Sequence, residues 1–113
     1  THCNHANEID DAVTVALETL RDHNIITLNQ AVLLKGINDN VGAQVALNRA
    51  LFATGTLPYY LHLLDKVQGA AHFDVAESKA HQVMEGVAAS LPGYMVPKLV
   101  REVAGADAKV IVK

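Results

Sequence analysis

PYYLHLLDKVQGAAHF, residues 58–73, begins as a strand and ends as a cluster of chemical groups. Pro58 suits a first strand position, where its missing N–H costs the ladder little. Tyr59, Tyr60 and Leu61 carry the apolar run on to residue 63. Adjacent strand residues point to opposite faces, so at least one of the two tyrosines is expected in the core. His62, Asp65, Gln68 and His72 then bring groups that bind or titrate. A strand that hands its carboxyl end to polar side chains is the unit from which βα sheets build their sites.

The flanking segments fit that reading. Upstream, VGAQVALNRALFATG, 41–55, reads as a helix with Asn40 as its cap and Gly55 at its C-terminal end. Before it, IITLN, 25–29, reads as a short buried strand. Ile9, Ala12, Val13, Ala16, Leu17 and Leu20 mark one face of an earlier helix. Asn7 is its expected cap and Asn24 its stop. Downstream, Ala76, Ala80, Val83, Met84, Val87, Ala88 and Leu91 form a third helical face ended by Pro92 and Gly93. PKLVREV, 97–103, is a third strand. The predicted order is helix, strand, helix, strand, helix, strand.

That alternation implies an α/β fold with a parallel sheet and right-handed crossovers. The strands start about 35 residues apart, as in a βα (TIM-like) barrel. Three strands cannot close one, so a partial barrel is expected. Parallel sheets normally have both faces covered, and these helices can cover only one. The other face is expected to meet missing strands, a cofactor or a second copy of the chain. Both ends read as cut, so the 113 residues are expected to form a single unit, 1–113, within a longer polypeptide.

Composition narrows the function. Half of the residues are hydrophobic, but there are only three tyrosines, two phenylalanines and no tryptophan, so aliphatic side chains must fill the core. The net charge is −3, with no basic run, and nothing points to nucleic acid. No apolar stretch nears the roughly 20 residues of a membrane span. Cys3 is the only cysteine, which excludes an internal disulfide and fits a reducing cytoplasm.

Polar groups gather where strands are expected to end: Asn29, Gln30, Asn38 and Asp39 after the first, His62, Asp65 and Gln68 after the second, Glu102 and Lys109 ending or following the third. His2, Asn4 and His5 precede the first helix. Each has a plainer reading. His2 and His5 could cap a strand end. Their spacing suits a metal, but no third ligand stands at convincing spacing, so no metal is expected. Asp65 with Lys66, and Glu102 with Arg101, could be solvated pairs. A surface role is the commonest one for any single lysine, Lys109 included. His23 and His81 read as surface helix residues.

In order and spacing, HCNHANEID (2–10), LNQAVLLKGINDN (28–40), PYYLHLLDKVQGAAHF (58–73), GYMVPKLVREV (93–103) and AGADAK (104–109) resemble the C-terminal half of the lysine 2,3-aminomutase family. The likeness is strongest to the branch that makes β-lysine for elongation factor P. It covers nearly the whole chain. The resemblance implies a radical S-adenosylmethionine enzyme that uses pyridoxal phosphate and a [4Fe–4S] cluster to move the α-amino group of L-lysine to the β-carbon. It further implies that Lys109 carries pyridoxal phosphate and that Asp65 and Glu102 hold the distant ammonium of the substrate. Two carboxylates suit a desolvated cation, which needs a paired charge. Gln30, His2, Asn4 and His5 match positions lining the cofactor and adenosylmethionine side.

The chain departs from the family pattern in two places. The three-cysteine cluster motif is absent, and one cysteine cannot supply it. Where relatives have prolines around the tail lysine, this chain has Ala104 and Val110, Ile111 and Val112. The cluster and adenosylmethionine are therefore expected only in a full-length parent, and the isolated chain is expected to be inert. The alternative is a non-enzymatic α/β fragment that self-associates through its uncovered sheet face.

Overall fold

A computed structural model of the chain describes residues 1–64, 75–102 and 109–112. Helices α1 (Asp11–Asp22), α2 (Val41–Ala53) and α3 (Glu77–Ser90) alternate with strands β1 (Thr27–Leu33), β2 (Thr56–Leu63) and β3 (Lys98–Glu102). A fourth strand, β4 (Lys109–Ile111), closes the order. The sheet runs β1-β2-β3-β4. β1, β2 and β3 are parallel, and β4 is antiparallel to β3. The fold is thus α/β with a mostly parallel sheet, as the alternation predicts. β4 was not expected, because three residues carry too little periodicity to mark a strand.

Local chemistry sets the boundaries. Asn40 caps α2, its Oδ1 accepting from Ala43 N–H at 2.8 Å. Gly55 follows α2 at φ +85°, and its N–H closes onto Phe52 O at 2.9 Å. Asn24 stops α1 at φ +60°, while the N–H groups of Asn24 and Ile25 bond to Arg21 O and Leu20 O. That pair of bonds is a Schellman closure, in which a left-handed residue ends the helix. The start of α1 differs from the expected one. Asp10 is the cap and accepts from Val13 N–H at 2.9 Å. Asn7 lies inside a 3₁₀ turn, Ala6–Glu8, capped in its turn by His5. β1 also begins two residues later than expected. Ile25 and Ile26, 50% and 80% exposed, form the connection.

Right-handed crossovers between neighbouring parallel strands place α2 and α3 on one face of the sheet. There Ala31, Leu33, Leu61, Leu63 and Leu99 meet Leu47 and Leu51 of α2 and Ala80 of α3 in one buried cluster. The α2–α3 contact is close at one point. A Cβ on Gly86 would press into the Val41 side chain, with Val41 Cγ1 at 3.1 Å and Cγ2 nearer. Val41 is β-branched and stiff, so it cannot swing aside cheaply. Gly86→Ala gains helix propensity, up to about 1 kcal/mol, but overpacks by about 1–3 kcal/mol. A net loss of about 1 kcal/mol is expected in urea unfolding. Adding Val41→Ala should relieve the clash, and strictly additive losses in the double variant would refute it.

β2 contains one irregularity that decides which side chains face where. Asn29 pairs with Pro58, but Gln30 pairs with Tyr60, so Tyr59 is an extra residue. Such a bulge reverses the alternation beyond it. Pro58, Leu61 and Leu63 are buried on the helix side, while Tyr60 and His62 stand on the open side. Neither tyrosine enters the core, contrary to expectation. Tyr59 is 37% exposed, and its ring lies 4.4 Å from that of Tyr60.

Candidate functional site

The open face of the sheet is half polar. Gln30 of β1 and His62 of β2 meet there, His62 Nε2 lying 2.9 Å from Gln30 Oε1. An amide oxygen only accepts, so His62 Nε2 carries the hydrogen of this bond. The Tyr60 ring stands edge-on to the imidazole at 6.0 Å. Lys98 of β3 pairs with Tyr60 in register, and its Nζ lies 5.5 Å over the Tyr59 ring. The Tyr60 hydroxyl is pushed above the usual phenol range, first by its hydrogen bond with Tyr59, then by burial and by repulsion from a Tyr59 phenolate. Gln30 was expected beyond the end of the first strand but lies inside β1, while His62 lies inside β2, within the run 58–63 read as a strand. Leu28, Leu57 and Ile111, 39%, 36% and 53% exposed, add apolar surface at neighbouring positions.

The other expected site residues are placed as follows. Glu102 and Lys109 are register partners across the β3–β4 ladder, and their side chains lie outside the described residues. Asp65 and Gln68 lie outside the described residues altogether. His2 is exposed. His5 Nδ1 accepts from Asn7 N–H at 3.1 Å, and Glu8 answers through the His5 and Asn4 N–H groups, which completes a capping box. Asn4 Oδ1 accepts from Val32 N–H at 2.9 Å. The structure therefore brings Gln30 to His62 and sets Asn4 and His5 at the flank of β1. Among the described residues no three His, Cys, Asp or Glu side chains gather as a metal site would require.

That flank is held by buried amides. Thr1 donates its terminal N–H to Leu28 O and accepts from Gln30 N–H, the two bonds of a parallel pairing opposite Asn29. The Asn29 side chain, 2% exposed, accepts from Cys3 N–H at 2.8 Å and donates to Cys3 O at 3.0 Å. Asn38, fully buried, accepts from Leu34 N–H and donates to the carbonyls of Asn4 and Val32, each at 2.8 Å. Residues 1–4 thus cover the free edge of β1, and side-chain amides stand in for part of a backbone ladder. The sequence shows Asn29 and Asn38 as ordinary loop polars. Their burial depends on partners 26 and 34 residues away, which no local pattern reveals.

Fold and face together define an α/β unit whose second sheet face carries half-buried polar groups paired between strands. Comparison with known proteins then specifies the lineage. No family model matches the chain. It is 49% identical over 108 residues to the L-lysine 2,3-aminomutase of Escherichia coli (strain K12), which covers 96% of this chain and 32% of that protein. To the L-lysine 2,3-aminomutase of Haemophilus influenzae it is 50% identical over 111 residues, 98% of this chain and 33% of that one. To the protein of the same name from Clostridium subterminale it is 37% identical over 109 residues. The chain is a homologue of the lysine 2,3-aminomutases and spans about a third of the length of the first two. Among the described residues no helix is long and apolar enough to cross a membrane.

Proposed function

We propose that the chain supplies the cofactor-lysine and substrate-ammonium part of an L-lysine 2,3-aminomutase, one that makes β-lysine in the cytoplasm for elongation factor P. The identity to proteins of that name along nearly the entire chain carries this reading. The parallel strands taken in sequential order suit one wall of a βα barrel. The open sheet face would then turn towards the rest of the longer protein.

The cofactors divide by their fit to this chain. A [4Fe–4S] cluster does not fit, since it needs several thiolates and Cys3 is single and only 8% exposed. Cluster and adenosylmethionine chemistry therefore belongs to the remainder of a longer protein, and the isolated chain is inert. Pyridoxal phosphate needs a lysine, and Lys109, the residue that the resemblance assigns to it, lies on edge strand β4 in backbone register with Glu102 of β3. When bound, the cofactor supplies the conjugated system through which an amino group can shift. The part of this chain is to hold that cofactor at Lys109, to anchor the far ammonium at Asp65 and Glu102, and to offer Gln30 as a donor on the open face.

The test is a borohydride trap. The chain is incubated with pyridoxal phosphate, reduced and digested, and the pyridoxyl-lysine is located by mass spectrometry. Label concentrated at Lys109 and lost in Lys109→Arg is the expected result. Label spread evenly over the surface lysines would refute a cofactor site in this chain.

A further inference from the structure

We infer that His62 is a positioning residue that fixes which way the Gln30 amide faces, so that Gln30 presents its NH₂ group to an anionic oxygen of the ligand. This deepens the proposed function and rests on it for the identity of the ligand. The geometry rests on three observations. First, Gln30 Oε1 lies 2.9 Å from His62 Nε2. The oxygen must accept, so the imidazole is the donor and the amide nitrogen is turned away from it. Second, Gln30 and His62 sit diagonally across the β1–β2 ladder: Gln30 pairs with Tyr60, and Val32 pairs with His62. The strands themselves thus hold the two side chains within reach. Third, the Tyr60 ring flanks the imidazole edge-on at 6.0 Å, which restrains its plane.

A free glutamine amide on a sheet face can turn over, offering either oxygen or nitrogen. A donor fixed beside its oxygen removes one of those two states. The remaining donor suits phosphate or phenolate oxygen, both of which pyridoxal phosphate carries. The orientation tolerates acid, because protonated histidine still donates from Nε2.

Two measurements test this on the 113-residue chain. The tautomer of His62 is read from long-range proton–nitrogen NMR at a pH where the ring is neutral. Hydrogen on Nε2 in the wild type is expected, with its proton resonance shifted upfield in Gln30→Leu as the bond is lost; a ring protonated on Nδ1, or a resonance that does not move, overturns the proposal. Pyridoxal phosphate affinity is then compared across variants. His62→Leu should weaken it about tenfold, the equivalent of one hydrogen bond to a charged group. His62→Gln keeps an NH₂ donor and should recover most of the loss. Equal affinities for wild type, His62→Leu and His62→Gln overturn the positioning role. A wild type that binds no pyridoxal phosphate at all refutes the cofactor reading, while the tautomer still decides for or against the His62–Gln30 orientation.

Discussion

Asn38→Ala is expected to lower the unfolding free energy of the chain by about 4 kcal/mol in urea titration. The Asn38 side chain makes three hydrogen bonds, each 2.8 Å long, and none of its surface is exposed. Alanine leaves the Leu34 N–H and the Asn4 and Val32 carbonyls without that partner. Each buried orphan costs about 1–3 kcal/mol. Two of the three bonds join residues 1–4 to β1 through one nitrogen, so the loss should also loosen the chain start. Small domains have only about 5–15 kcal/mol in total, and the variant should stand near the edge of folding. Asn38→Asp separates the causes. It keeps shape and acceptor but sets carboxylate oxygen against two carbonyls, so it should be no better than alanine. A loss under about 1 kcal/mol for alanine would mean that water satisfies the hub.

In a chimera carrying residues 1–113 in place of the matching third of the E. coli relative, Asp65→Asn should raise KM for L-lysine on the order of 10²-fold. If Asp65 and Glu102 share the far ammonium, removing one charge leaves a desolvated cation half paired. Breaking such a pair costs about 2–5 kcal/mol, and each 1.4 kcal/mol is tenfold. The ammonium lies far from the migrating nitrogen, so it is held alike in ground and transition states. Loss of such uniform binding appears in KM, with kcat little changed. An unchanged KM would remove Asp65 from the substrate site. An equal fall in kcat at constant KM would place it near the chemistry instead.

Much of the architecture was readable in advance. The extent of α2, the buried face of α3, the Asn40 cap, and Asn24 and Gly55 as stops are local signals, and the structure follows them; the face read for α1 buries only Leu17. Asp10 displaced Asn7 as the first cap because both residues can cap and His5 with Glu8 had already engaged the earlier turn. The burial of Asn29 and Asn38 was unreadable, since only distant partners make it tolerable. Gln30 stood out at an expected strand end, and its role came from family resemblance. Its pairing with His62 needed the strand register, which depends on a bulge that leaves no mark in composition or period. The roles of Lys109, Asp65 and Glu102 likewise came from resemblance, not from spacing.

Tyr59 gives β2 something like a reading frame. Every assignment after it, Leu61 to the interior and His62 to the opposite face, is counted from that one supernumerary residue. Two related chains can therefore match letter for letter from 60 onward and still mean different things, if one has dropped the residue at 59. The meaning of a substitution at 61 or 62 is fixed upstream of it, as a codon's is.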